Sequence, residues 1–221
     1  MWADHLAEAP EASTLLRVEP LLAFGAALLA LRLAGLLAAR WRASRSPHLL
    51  AWSAGLAAYA LGTAAIAWGT AAGWDDRAFR AYYLFGGLLT APLLGAGSLL
   101  GVGRRAAGPV VLVYTGLAVG VALAVPVHGE LAGTELPHAQ DHLDLFPARV
   151  AALAGNIAGS LALVGVALAT LRRRPLGNSL LLAGFLLAAG GSTLSGLGVV
   201  GTSAFIAVAA VLLYAGTVAR S

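Results

Sequence analysis

The chain predicts an all-α, polytopic membrane protein: a bundle of seven transmembrane helices, N-terminus outside and C-terminus inside. Three observations carry that reading. Of 221 residues, 59% are hydrophobic and 11% charged, too apolar a composition for a soluble domain of this size. Apolar stretches of about 20 residues, enough to cross a bilayer core, recur along the whole length. The charges also sort into two sets. The ten acidic residues, Asp4, Glu8, Glu11, Glu19, Asp75, Asp76, Glu130, Glu135, Asp141 and Asp144, fall in the N-terminal segment and alternate connections. The remaining connections hold Arg40, Arg42, Arg45, Arg104, Arg105, Arg172, Arg173 and Arg174, with Arg220 at the tail and no acid. Short arginine-rich loops stay cytoplasmic, and this fixes the orientation. Arg17, Arg77, Arg80 and Arg149 are the outer-side exceptions.

The single transmembrane domain occupies residues 1–221, with spans expected at about 20–41, 48–72, 80–102, 108–127, 147–171, 176–197 and 200–219. Proline suits a first helical turn and disrupts an interior, and Pro20, Pro47, Pro109, Pro147 and Pro175 stand at expected starts. Pro92 alone lies inside a span, predicting a kink near Ala91–Pro92 in the third helix. Trp68, Trp74, Tyr82, Tyr83 and Phe146 gather near the outer boundary, and Trp41, Trp52 and Tyr214 near the inner one, as in aromatic belts. The opening MWADHLAEAPEAS has neither a basic n-region nor an apolar h-region, so it reads as retained. Segments 49–63 and 179–193 align with glycines in register, a weak sign that helices 1–3 and 5–7 are repeats about helix 4.

Composition excludes several chemistries. The chain has no cysteine and no lysine, so disulfides, thiolate sites and Schiff-base cofactors are ruled out. The expected spans carry no acidic residue and no interior histidine, which argues against intramembrane hydrolysis, bis-histidine haem and carboxylate-coupled pumping. The chain is read as a non-enzyme. Its net charge of +4 and pI near 10.1 come from short membrane-flanking loops, so membrane lipids rather than nucleic acid are the expected partners.

Lipid is as apolar as leucine, so small and polar residues mark the faces that pack inward. Helix 2 places Trp52, Gly55, Tyr59, Gly62 and Thr63 on one stripe, helix 3 places Tyr83, Gly86, Gly87, Thr90, Gly97 and Gly101, and helix 6 places Gly184, Ala188, Gly191, Ser192, Ser195 and Gly198. The pairs Gly97/Gly101, Gly116/Gly120 and Gly155/Gly159 would allow close helix approach. Arg32 is the one charge expected within a span, and its spacing from Gly25 and Gly35 aims it into the bundle, toward an anionic ligand or a lipid phosphate, or else snorkelling to the inner interface. Asn156 and the 190–198 run GGSTLSGLG add polarity in the outer half. The run either bonds its own carbonyls or unwinds to present backbone to a substrate. The candidate ligand-binding set is therefore Arg32, Tyr59, Tyr83, Thr90, Asn156, Ser192 and Ser195.

The longest connection, 126–147, holds three of the five histidines. His138 and His142 are four apart beside Asp141, and with His128 they form a candidate weak divalent-metal site on the outer side. No cofactor is otherwise expected. The function expected is a permease or facilitator for a small uncharged, amphipathic or anionic molecule in a bacterial plasma membrane. The alternative is a seven-helix sensor or accessory subunit acting through a membrane or cytoplasmic partner protein.

Overall fold

A computed structural model describes residues 9–131, 133–172, 175–196, 208–209 and 211–212. The described residues are helical, without strands. Five helices are long and apolar enough to cross a membrane, and they make this a membrane protein. In chain order the elements are α1 (Ala9–Ser44), α2 (Pro47–Ala72), α3 (Asp76–Gly101), α4 (Ala107–Ala124), the short α5 (Ala139–His142), α6 (Leu145–Ala169) and α7 (Pro175–Gly196). The membrane-length part of α1 is Ala23–Ser44. Five expected spans thus return with boundaries moved by a few residues, and α7 covers the sixth as a helix of 22 residues. Most of the 200–219 span lies outside the described residues.

Helix starts follow local chemistry. Pro47 sits in the first turn of α2 and Pro175 begins α7. Asp75 caps α3 through its Oδ1, which accepts the Ala78 N–H at 2.7 Å and so satisfies one orphan donor of the first turn. Gly73 closes α2 at φ 96°, a left-handed conformation that a side chain would resist, and donates to Gly69 O at 3.0 Å. Pro20 departs from expectation. It lies inside α1, whose described residues already extend eleven residues before it. The alanine, glutamate and leucine of that stretch are good helix formers, so the helix is already running when it reaches Pro20.

The third span holds a departure from regular α-helix. Tyr82–Leu89 is π-helical, between α-helical Asp76–Ala81 and Thr90–Gly101. Pro92 lies just past it and has no N–H for the preceding turn, so carbonyls near Gly87 and Leu88 lose their normal donors. The expected kink site is therefore a widened turn, and side chains of other helices complete it, as described below.

Packing runs from α1 to α2, from α2 along both halves of α3, from α3 to α6, and from α6 to α7, with α4 against α3. Backbones touch at two crossings. A Cβ on Gly62 would lie 2.8 Å from Gly86 N and 2.9 Å from its Cα. A Cβ on Gly95 would strike Gly159, and one on Gly159 would strike the Ala91 carbonyl and lie 2.6 Å from Pro92 N. Such contacts let dispersion act where lipid offers helices no hydrophobic drive to associate. Ser53 adds an interhelical bond, donating to Ala34 O at 2.8 Å. Two apolar clusters result, one at the acidic end around Phe79, Leu88, Val121 and Leu143, the other nearer the arginine end around Leu33, Leu56, Leu94 and Leu163.

Candidate functional site

The sequence-predicted residues divide into three groups. Tyr83, Thr90 and Asn156 converge on the π-helical stretch of α3. Thr90 Oγ1 donates to Phe85 O at 2.7 Å, five residues back in the π register. Asn156 on α6 donates its Nδ2 to Gly87 O at 2.7 Å. Tyr114 on α4 places its hydroxyl 3.1 Å from Leu88 O and 3.0 Å from Ala151 O, with one proton to give to either. The freed carbonyls are thus met from three helices, which is what an intramembrane break in a helix requires. Tyr114 was not among the expected site residues. The signal was present in the sequence, since Pro92 frees the carbonyl four residues earlier and a donor from a neighbouring helix must answer it.

Tyr59 is half-buried on the expected inner face of α2, where Gly55, Gly62 and Thr63 are buried. Thr63 returns its hydroxyl to Tyr59 O at 2.9 Å, and Ser98, Thr70 and Thr170 likewise bond the carbonyl four residues back. For Ser192 and Ser195 the backbone is helical through Gly196, so residues 190–196 are not unwound. Their side chains lie outside the described residues.

Arg32 corrects an expectation. It is exposed, on a face shared with Leu28, Gly35 and Leu36. The buried face of α1 is Ala23, Ala26, Ala27, Ala30, Leu33, Ala34 and Leu37. Alanine, small and strongly helix-forming, marks the packed side here. The glycines mark the open one, since a Cβ at Gly25 or Gly35 would meet nothing within 4 Å. The same holds for Gly116 and Gly120, while Gly155 and Gly159 do lie at close contacts.

The metal candidates are not assembled as expected either. His142 Nδ1 lies 2.9 Å from His128 O, and His128 Nε2 lies 3.3 Å from Asp144 Oδ2. Among the described residues no three histidine or acidic side chains group to hold a metal ion. In place of a helical face bearing His138 and His142 with Asp141, α5 is one turn that begins after His138. Its His142 ring turns inward against Phe79, edge-on at 5.5 Å, so the ring serves packing.

That inward turn closes a small cleft the sequence did not announce. The 126–146 loop folds over the acidic end of the bundle through His128 N–H to His142 O at 2.8 Å and Trp74 N–H to Gly133 O at 3.1 Å. Beneath it Phe79 is fully buried, stacks on Tyr83 at 6.1 Å and lies near Tyr82, whose ring meets Trp74 edge-on at 5.7 Å. Arg80 spans the wall. Its Nε meets Asp76 Oδ2 at 2.8 Å, and its Nη1 donates to Ala122 O at 2.7 Å and Val125 O at 2.9 Å, neutralising the carbonyl end of α4. The cleft lies between Phe79, Arg80, Tyr83, Val121, Val125, Val127 and Leu143.

Two donors in this region have no hydrogen-bond partner among the described residues, Trp74 Nε1 and Tyr83 Oη. Both residues are buried, 4% and 7% exposed, so each unmet group costs about 1–3 kcal/mol. Tyr83 lines the cleft. No known protein family, curated protein or solved structure matches the chain. Function therefore rests on the site.

Proposed function

We propose that this chain is a multi-pass membrane protein that takes a small amphipathic molecule, uncharged or anionic, beneath its outer loop and works through a partner protein, as a sensor or accessory subunit. One observation carries the reading: mid-bundle side chains meet the carbonyls freed in α3, and of the buried polar atoms without a partner among the described residues, Trp74 Nε1, Tyr83 Oη and Thr115 Oγ1, it is Tyr83 Oη that lines the cleft. Thr90, Asn156 and Tyr114 are spent on α3 carbonyls. Gly62 against Gly86 and Gly95 against Gly159 bring backbones into contact at mid-bundle. The outer cleft combines apolar walls with few polar groups, the usual make-up of small-molecule sites. The orientation follows the charge sorting, with seven spans, N-terminus outside and C-terminus inside, in the plasma membrane of a bacterium.

A facilitator is the second reading. It is favoured by the π-helical stretch, because a widened turn whose carbonyls are held by side chains is a place where a helix can change register. Arg32, Tyr59, Ser192 and Ser195 would then act in the bundle at another stage of the cycle.

The test pairs binding with topology. Thermal unfolding of the purified protein, run against a panel of small amphipathic amides, esters and carboxylates, should find compounds that stabilise it. A ligand that binds only the folded state raises stability by mass action. Tyr83→Phe should abolish the response; stabilisation of wild type and Tyr83→Phe alike by every active compound would refute binding in the cleft. Single cysteines introduced at 140 and 173 of this cysteine-free chain should label from outside and inside respectively, and labelling of 173 from outside intact cells would reverse the topology.

A further inference from the structure

We infer that the arginine-bearing end of the bundle seats the headgroup of an anionic phospholipid between the turn joining α1 to α2 and the turn joining α3 to α4. The two turns are neighbours, for a Cβ on Gly101 would lie 3.9 Å from His48 Cβ. Arg42 and Arg45 leave the first turn, Arg104 and Arg105 the second, and all four are exposed. Between Glu19 and Asp75, and again between Asp76 and Glu130, the sequence has no acidic residue, so neither turn supplies a counter-charge of its own.

Arg45 carries the argument furthest. Its φ is 55°, a left-handed conformation that L side chains rarely adopt and that glycine normally fills at a helix end. Its N–H donates to Trp41 O at 2.7 Å, closing α1, while its guanidinium stands 5.5 Å from the centre of the Trp41 ring. An arginine therefore occupies a glycine position and is aimed by an aromatic ring of the kind that marks the membrane interface. Guanidinium matches phosphate in bidentate geometry.

The surroundings select lipid over an acidic protein. Leu50, five residues after Arg45, and Val102, two before Arg104, are 45% and 47% exposed. Charge thus passes directly into apolar surface on both turns, the arrangement an amphipathic anion needs: phosphate on the guanidiniums, acyl chains along the wall.

The experiment uses the full chain in neutral detergent, with dioleoyl phosphatidylglycerol or phosphatidylcholine added, read by native mass spectrometry and thermal unfolding. Phosphatidylglycerol should be retained and protective, and phosphatidylcholine not. Affinity should weaken roughly fivefold for each guanidinium removed in Arg45→Gln and in Arg104→Gln/Arg105→Gln. Arg45→Gly guards against loss by misfolding: it relieves the left-handed backbone, so it should unfold at an equal or higher temperature yet bind phosphatidylglycerol more weakly. Equal retention of the two lipids, or unchanged phosphatidylglycerol affinity in all variants, would overturn the site. Protection by inorganic phosphate or by polyglutamate equal to that of phosphatidylglycerol would overturn it too, pointing to a free anion or an acidic partner.

Discussion

Asn156, Tyr114 and Thr90 each hold a carbonyl of α3, and their removal leaves an acceptor unmet in a region with no water to meet it. Asn156→Ala and Tyr114→Phe should each destabilise by about 1 kcal/mol, since intramembrane hydrogen bonds are worth little more than those in water. Thermal unfolding in detergent measures this, and a change within error for both would mean that the carbonyls find other partners. Tyr83→Phe has the opposite expected sign. Its hydroxyl is buried without a partner among the described residues, so the variant should be as stable as the parent or more so. A clear loss of stability there would show that the hydroxyl is bonded in the protein. Asn156 was legible in the sequence as a lone amide in an apolar span, but its role was not, because the carbonyl it meets belongs to a helix 69 residues away. Glycine spacing points Arg32 toward the bundle, but alanine holds the packed face of α1 and Arg32 lies on the exposed one.

Within α3, Pro92 predicts a break and the Gly97/Gly101 pair a close approach, while the backbone contact falls at Gly95, which the sequence did not single out. The break and that contact work together, because the turn around Pro92 is where α6 crosses with Gly159 against Ala91 and Pro92. Gly159→Ala should therefore cost about 1–3 kcal/mol by overpacking against backbone that cannot yield. Gly116→Ala, with nothing within 4 Å of the added Cβ, should stabilise α4 slightly through helix propensity. Comparison of the two unfolding midpoints checks this, and equal effects would contradict the crossing. Sequence could not tell these glycines apart, since both lie in small-xxx-small pairs on apolar helices. Helix starts were far more legible, because Pro47, Pro175 and Asp75 act through their own turn. Pro20 departs because the helix is already running through the residues before it.

At the scale of the whole molecule, charge and hydropathy made the membrane character legible, because a bilayer imposes length and polarity on every span alike. The cleft was not legible. It depends on the 126–146 loop folding back so that His142 reaches Phe79, a tertiary contact with no period or motif behind it. Exposed apolar surface is extensive, as the apolar windows of α4 and of α6 are each only 22% buried. Among the described residues the bundle is closed at its middle by backbone contacts, and the cleft beneath the 126–146 loop is where we place the ligand. Cysteine accessibility tests it most directly, since the natural chain has no cysteine to confuse the result. Val127→Cys and Thr90→Cys, reconstituted in vesicles, are exposed to a membrane-impermeant thiol reagent from each side in turn. Position 127 should label from the loop side, a stabilising compound should slow this labelling, and position 90 should label from neither side. Labelling of position 90 that switches sides when ligand is added would contradict that closure and establish a transport pathway.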